Sequence, residues 1–164
     1  MEARPEIKLK MQPVDIVLEV VGYAGLAVLW VFISMMYNHL PDTVATHFNL
    51  AGEADGYGEK RTIFMMPIMA SLQFIILSAV QEYPHLFNYP VTITPENVKR
   101  QYTNAIRMMR VLKIVLVAIF GTIEIYSNSE YLGLELNGYW LMPVVLAILI
   151  LPIGYFIVKA YRQR

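Results

Sequence analysis

Two long stretches of the chain contain no charged residue, and they constrain its fold more than any other feature. The run from Thr62 to Gln81 has twenty residues, and the run from Leu136 to Val158 has twenty-three. About 20 helical residues cross the hydrocarbon core of a membrane. The composition also indicates a membrane protein, since 57% of the residues are hydrophobic and the mean hydropathy is +0.47. The sequence therefore predicts an integral membrane protein whose main surroundings are the lipid bilayer.

Two further apolar runs predict additional spans. Val20 to Leu40 lacks acidic and basic side chains apart from His39, and Ile114 to Ile123 needs flanking residues to reach spanning length. We expect an all-α integral membrane protein: one membrane domain over residues 1–164, forming a four-transmembrane-helix bundle with an ordered extracytoplasmic loop over 39–61. The predicted spans are about 16–38, 62–81, 108–127 and 138–158.

Basic residues are distributed unevenly between the segments that connect these spans. Eleven of the thirteen Lys and Arg residues lie before the first span, between the second and third, or after the fourth. Only Lys60 and Arg61 lie on the opposite side. Because positively charged segments remain in the cytoplasm, both termini are expected inside a cell (inner) membrane of bacterial type, and the 39–61 loop outside.

The loop from Leu40 to Lys60 concentrates polar residues between two apolar runs. Its histidine and carboxylates are of the kinds that bind divalent metals, and His47 and Asp55 are the candidate ligands. The spacing is not that of a helical histidine pair or of a calcium-binding loop. The sequence also has no cysteine, so thiolate ligands are excluded. No cofactor is predicted, and a divalent metal is one alternative for this loop.

The same loop also fits a structural cap on the bundle. In that interpretation His47 and Asn49 hydrogen-bond to the loop backbone, and the glycines supply positive backbone dihedrals. Lys60 would pair with Asp55 or Glu53. A third interpretation is recognition of an external ligand, to which an ordered loop rich in donors and acceptors is suited.

A residue pattern runs through this loop and consists of Leu40, Pro41, Val44, His47, Phe48, Asn49, Gly52, Asp55, Gly58 and Lys60. The pattern resembles the membrane family catalogued as domain of unknown function 1648, which includes SdpI-like immunity and signalling proteins of bacteria. Tyr57 stands at a position that is usually aromatic, while Ala45 and Ala54 replace expected prolines. The resemblance implies an immunity or sensor protein that binds an exogenous peptide toxin or another envelope ligand through its extracytoplasmic loop.

Glu124 is an ionisable residue in the outer half of the third predicted span. Such groups are costly inside a membrane and usually have a partner there. We expect a polar cluster that joins Glu124 to the loop through His47, Lys60 or Arg61. The alternative is a shorter span with Glu124 at the water interface beside Asn128.

A basic helix is predicted just before the third span. Thr94, Pro95 and Glu96 form a typical helix start, with a hydroxyl cap, a proline and an acid in the first turn. An amphipathic helix over 95–110 should follow and lie under the membrane. Its basic residues would bind the inner leaflet or, alternatively, a cytosolic partner; they are Lys99, Arg100, Arg107 and Arg110.

Two other classes of function remain alternatives. A small transporter or channel would use Glu124 and the 39–61 loop to line a polar path, and it is expected to be a homo-oligomer because four helices enclose little space. A metal-dependent membrane enzyme would place His47 and acids around an ion. The chain has no nucleophile elbow, metalloprotease motif or phosphate-binding glycine loop, so catalysis is not the expected function. No nucleic-acid partner is predicted.

Overall fold

The computed structural model describes residues 4–49, 53–136 and 138–164, and within them the chain forms four α-helices, four short 3-10 helices and one pair of strands. The motif residue Gly52 lies outside the described residues. The helices are α1 (Pro13–Tyr37), α2 (Met65–Val80), α3 (Val98–Ser127) and α4 (Leu141–Arg162). The strands are β1 (Thr43–Phe48) and β2 (Ala54–Glu59), which pair antiparallel.

The strand pair corrects the all-α prediction for the 39–61 loop. This segment is a β-hairpin that continues into a turn of 3-10 helix over Lys60–Phe64. The burial pattern of β2 is that of a strand, because every second residue is exposed and the residues between them are partly buried. That period of two is the period of a strand with one face turned outward.

Three helical segments are long and apolar enough to cross a membrane, and they match the first, second and fourth predicted spans. They are Pro13–Tyr37, Lys60–Val80 and Leu141–Arg162. Their most apolar stretches are only 17%, 22% and 6% buried within the protein, so most of their apolar side chains face outward. An apolar surface of this extent indicates a membrane protein.

Helix α3 packs against the other three helices and is less apolar than they are. It unites the basic helix predicted over 95–110 with the span predicted over 108–127 in one helix of 30 residues. It begins at Val98 rather than at Pro95, because the Asn97 side chain holds the preceding turn. Its amide oxygen accepts the backbone N–H of Thr94 at 2.9 Å, and its amide nitrogen donates to the Thr92 carbonyl at 3.0 Å.

The helices alternate between two ends of the bundle. Helices α1 and α3 run from the end that carries the basic residues of α3, called the basic end, to the end that carries the hairpin, called the hairpin end. Helices α2 and α4 run back. The core lies between α1, α2, α3 and the hairpin, and it includes Leu29, Ile33, Val44, Phe74 and Val117.

Close approach of α1 and α2 depends on one glycine. A Cβ atom added at Gly22 would come within 3.1 Å of the Phe74 ring and 3.6 Å of Ile114 in α3. Because three helices converge there, the absence of a side chain lets α1 approach both neighbours.

The N-terminal residues lie across the segment between α2 and α3. The Arg4 guanidinium donates to the Phe87 carbonyl and stands 5.5 Å from the centre of the Tyr89 ring. The Tyr102 hydroxyl donates to the Pro5 carbonyl at 3.2 Å. Burial raises the pKa of Tyr89 well above its usual value, so this phenol stays protonated over the ordinary pH range.

Candidate functional site

The hairpin is built around an irregular strand register. Val44 pairs with Gly58 and Ala45 with Tyr57, whereas His47 pairs with Gly56, so Thr46 is the extra residue of a bulge. A bulge bends the strand and changes the direction in which the following side chains point. Here it precedes His47, one of the predicted site residues.

Gly56 is required by the close contact between the strands. A Cβ atom at this position would lie 2.9 Å from the Cβ of His47, closer than two carbon atoms can approach. The predicted role of the loop glycines was a positive backbone dihedral, and this was wrong for Gly56 and Gly58. Among the described residues, a positive φ occurs at Gly133, outside the hairpin.

Polar contacts within the hairpin join residues that are close in sequence. The His47 ring nitrogen Nδ1 bonds the Asp55 carboxylate across the strands. The Asn49 amide donates to the Glu53 carboxylate at 3.0 Å, and the Asn49 side-chain oxygen accepts the Glu53 backbone N–H at 3.0 Å. His47 therefore bonds a side chain rather than the predicted backbone, while Asn49 makes the predicted backbone contact.

Lys60 pairs differently from the prediction. Its ammonium lies 3.4 Å from the Asp42 carboxylate and 5.1 Å from the centre of the Tyr37 ring, not beside Asp55 or Glu53. Its backbone N–H also donates to the Asp42 carbonyl at 2.9 Å. The partner is Asp42 because Lys60 follows the end of β2, opposite the residue that precedes β1. This contact closes the base of the hairpin.

The hairpin is fixed to the helices by apolar contacts. Val44 is 1% exposed and packs in the core with Leu40 and Ile63, which flank the two strands. At the tip, the Phe48 ring meets the edge of the Tyr126 ring of α3, with centroids 5.4 Å apart. The hairpin is thus anchored at its base and tip, while its polar side chains remain outside the core.

Glu124 does not join the predicted cluster with the loop. Its side chain is buried, and its carboxylate accepts a hydrogen bond of 3.1 Å from the amide of Asn128, one turn later in α3. His47, Lys60 and Arg61 instead pair with Asp55, Asp42 and Glu59. The Phe48–Tyr126 ring contact joins the hairpin to α3.

Two candidate metal ligands, His47 and Asp55, meet in the described part of the hairpin. Among the described residues, no three His, Asp or Glu side chains come together in a way that would hold a metal ion. Asp55 and His47 form a pair, and a pair supplies two of the three or more protein ligands that structural and catalytic zinc sites use.

A second polar group, which sequence reasoning missed, lies at the basic end. It is called the ion cluster and consists of Asp15, Glu19, Arg107, Arg110 and Lys113. These residues come from α1 and α3 and are separated by more than ninety positions in the chain.

The contacts of the ion cluster are short and continuous. Arg107 donates to Asp15 at 2.8 Å, and Arg110 lies 3.0 Å from Asp15 and 2.9 Å from Glu19. Lys113 donates to Glu19 at 2.7 Å. Each acid therefore meets two cations, which offsets much of the cost of removing these charges from water.

Lys113 is the most deeply buried member, with 1% of its side chain exposed. Helix α2 completes its surroundings: the Ser78 hydroxyl is 3.1 Å from the ammonium, and the Phe74 ring centre is 4.7 Å away. Gln81, the residue that follows α2, donates to Glu19 at 3.1 Å. The cluster thereby joins three helices and has the chemistry of a structural clamp.

The sequence contains a signal for this cluster. Asp15 and Glu19 are four residues apart, and Arg107, Arg110 and Lys113 follow at intervals of three. Both spacings place the charges on one face of a helix. Opposite charge on one face of each of two apolar helices predicts that the faces meet, once the helices are known to be neighbours.

The ion cluster also bears on the predicted cytosolic docking surface. Arg107 and Arg110 form ion pairs with Asp15 and Glu19. Lys99 and Arg100, in contrast, are exposed. A partner or a lipid headgroup would therefore meet Lys99 and Arg100.

Comparisons with known proteins give a family match but no described function. No solved structure matches the chain. An uncharacterized protein of Archaeoglobus fulgidus is 25% identical over 119 residues, which cover 68% of this chain and 62% of that protein. The chain thus matches less than two thirds of this relative's length. Residues 24–70 match the family described as domain of unknown function (DUF1648). This range includes the last half of α1, the hairpin and the start of α2. The match confirms the resemblance seen in the loop motif.

Proposed function

We propose that this protein is a four-span membrane protein of immunity or sensor type that recognises an exogenous peptide or envelope ligand through its hairpin. The observation that carries the proposal is the combination of a firmly anchored base with an exposed polar face. Val44 holds the hairpin in the core, while Asp55, Tyr57 and Glu59 are exposed on one side of β2. Binding residues are commonly presented in this way by a rigid scaffold.

The strand edges supply a means of peptide recognition. In the described part of the chain, β1 and β2 pair with each other and with no further strand, so each keeps an outer edge. An extended peptide can add to such an edge through main-chain hydrogen bonds, and side chains on the exposed face then provide selectivity.

Charge and aromatic character favour a cationic peptide. Between residues 42 and 61 there are four carboxylates and two basic side chains. Tyr57, which is 67% exposed, lies between Asp55 and Glu59 in β2. Carboxylates beside an exposed ring favour Lys or Arg in a ligand, by charge attraction and by cation–π contact.

The proposed orientation and fourth span rest on charge distribution. Residues 108–127 of α3, which contain the uncharged run 114–123, would cross the membrane together with the three apolar helices, with the ion cluster near the cytoplasmic surface. Eleven of the thirteen basic residues would then lie on the cytoplasmic side and the hairpin outside.

A display experiment tests this function. Protein in lipid nanodiscs is panned against a random-peptide display library, with Tyr57→Ala and Tyr131→Ala variants in parallel. Tyr131 is a matched control, since it is also an exposed tyrosine but lies after α3. We expect enriched basic peptides on the wild type and on Tyr131→Ala, with loss on Tyr57→Ala and weaker binding at high salt. Enrichment that is equal on all three proteins would contradict recognition by the hairpin.

A small oligomeric transporter or channel is the second candidate, favoured by ionisable residues buried in apolar helices. Lys113 and Glu124 have this character, and such residues often mark ion paths. Ion flux into proteoliposomes that falls on Glu124→Gln substitution, while the protein stays folded, would support transport. Flux equal to that of empty liposomes would exclude it.

A further inference from the structure

A small pocket at the basic end lies between α3, the last turns of α4 and the residue before α1. Its volume is about 200 Å³. Half of the residues that line it are basic, and the other half are polar but uncharged. The basic residues are Lys99, Arg100, Arg107 and Lys159. None of the described residues that line this pocket, called the basic pocket, is acidic, so its charge is strongly positive.

The packing of α3 against α4 brings these cations together. Arg100 and Arg107 are seven residues apart, which is two turns of helix, so they lie on one face of α3. Lys159 comes from α4. The two helices are joined beside the pocket by the Asn104 amide, which donates to the Phe156 carbonyl at 2.9 Å. The pocket is therefore a product of the fold rather than of one basic segment.

Most of this charge is not neutralised within the described part of the protein. Arg107 pairs with Asp15 at 2.8 Å, whereas Lys99, Arg100 and Lys159 form no ion pair with any described residue. Like charges that are held close together repel each other, so an anion between them would lower the free energy of the folded protein. The basic pocket differs in this way from the ion cluster, in which each cation meets a carboxylate.

The donors that line the pocket fit a phosphate group, whose oxygens accept several charged hydrogen bonds at once. They can be reached, because Lys99 and Arg100 are exposed and Thr103 and Lys159 are partly exposed. The Thr103 hydroxyl makes no hydrogen bond with a described residue, so it is free to donate. A phosphate monoester carries a charge of about −1.5 to −2 at neutral pH and balances such a group of cations better than a diester does.

The depth of the pocket favours a lipid as the source of the phosphate. Helix α4 is uncharged from Leu141 to Val158, and Lys159 is the first charged residue after this run. With α4 across the membrane, the end of the run coincides with the end of the hydrocarbon, where the phosphate groups of the lipids begin. Basic pockets between membrane helices at this depth bind the headgroups of anionic lipids.

We propose that the basic pocket binds the phosphate group of an anionic membrane lipid and prefers a monoester, such as phosphatidic acid, to a diester. The phosphate lies between α3 and α4 and receives hydrogen bonds from Lys99, Arg100, Thr103 and Lys159. A defined site that needs a residue of α4 goes beyond the general attraction of a basic helix to a membrane surface. It is also independent of ligand recognition by the hairpin.

Native mass spectrometry of the full-length protein in detergent micelles tests the proposal. The protein is titrated with phosphatidic acid, phosphatidylglycerol or phosphatidylcholine of identical acyl chains, and the dissociation constant of the first bound lipid is measured. Glycerol phosphate, which carries the monoester without acyl chains, is added as a soluble competitor. Lys159→Gln is compared with Arg162→Gln, because Arg162 is the other basic residue in the last turn of α4 and does not line the pocket.

The wild type should bind phosphatidic acid most tightly and phosphatidylcholine least. Lys159→Gln should weaken the binding of phosphatidic acid about five- to tenfold, since the loss of one cation beside a lipid phosphate has an effect of this order. Arg162→Gln should leave it nearly unchanged. Lys99→Gln removes another lining cation at an exposed position, so it should weaken binding by a similar factor and decides the matter even if Lys159→Gln does not fold.

Three results would overturn the proposal. Equal losses in the lining variants and in Arg162→Gln would indicate general charge attraction without a site. Equal affinity for the three lipids would remove the phosphate monoester as the recognised group. Displacement of phosphatidic acid by glycerol phosphate at a comparable concentration would assign the pocket to a soluble phosphate compound instead of a lipid.

Discussion

The hairpin and the ion cluster both contain paired charges, but they connect different parts of the chain. In the hairpin, His47 bonds Asp55 eight residues away, and both side chains are largely exposed. In the ion cluster, Lys113 bonds Glu19 across ninety-four residues, and the lysine is almost inaccessible. Local exposed pairs organise one segment, whereas distant buried pairs determine how helices pack. The segment richest in polar residues is therefore not the one that holds the bundle together.

The largest effect is expected from Lys113→Met. This change leaves the partly buried Glu19 with one cation fewer, and removing one partner of a buried ion pair costs about 3 kcal/mol or more. The free energy of unfolding, measured by denaturant titration in mixed micelles, should fall by this amount. Lys99→Met is the matched control, because Lys99 is exposed on the same helix. A similar small loss for both variants would contradict a clamp at the basic end.

Gly56→Ala should have an intermediate effect. The new methyl group meets the Cβ of His47 at 2.9 Å, so the strands must separate, and overpacking of this kind costs about 1–3 kcal/mol. Gly154→Ala is the control, since a Cβ there contacts nothing within 4 Å. Hydrogen exchange should show faster exchange of β1 and β2 amides in Gly56→Ala alone. Unchanged exchange in that variant would contradict the close strand contact.

The smallest effect is expected from Asp55→Asn. It removes the charge from an exposed pair with His47, and such pairs contribute about 0.2–1 kcal/mol. The free energy of unfolding should change little, whereas binding of basic peptides to the hairpin should weaken. A loss of stability as large as that of Lys113→Met would remove the distinction between the two regions.

Much of the helical architecture could be predicted from uncharged runs. The runs from Val20 to Leu40, Thr62 to Gln81 and Leu136 to Val158 correspond to helical segments long enough to span a membrane. Lipid imposes this signal along a single segment, so it needs no knowledge of neighbouring helices. The span in α3 is harder to predict, because Lys113 and Glu124 limit its uncharged stretch to residues 114–123.

The hairpin and the ion cluster depend on contacts that a single segment does not encode. The glycines and polar residues of β2 gave little strand propensity, and their pairing with β1 depends on a bulge and on the anchoring of Val44. The ion cluster required the knowledge that α1 and α3 are parallel neighbours in a particular register. Charge alone assigned Arg107 and Arg110 to a cytoplasmic surface, so their ion pairs with Asp15 and Glu19 were not predicted.

Two double-mutant cycles would test the contrast between the regions most directly. The first combines Glu19→Gln with Lys113→Met, and the second combines His47→Ala with Asp55→Asn, with unfolding free energies measured under one condition. We expect a coupling energy of about 2–3 kcal/mol for the first pair and under about 1 kcal/mol for the second. Equal coupling energies, or a larger one in the hairpin, would contradict the account that buried ion pairs at the basic end hold the helices while the hairpin is locally organised.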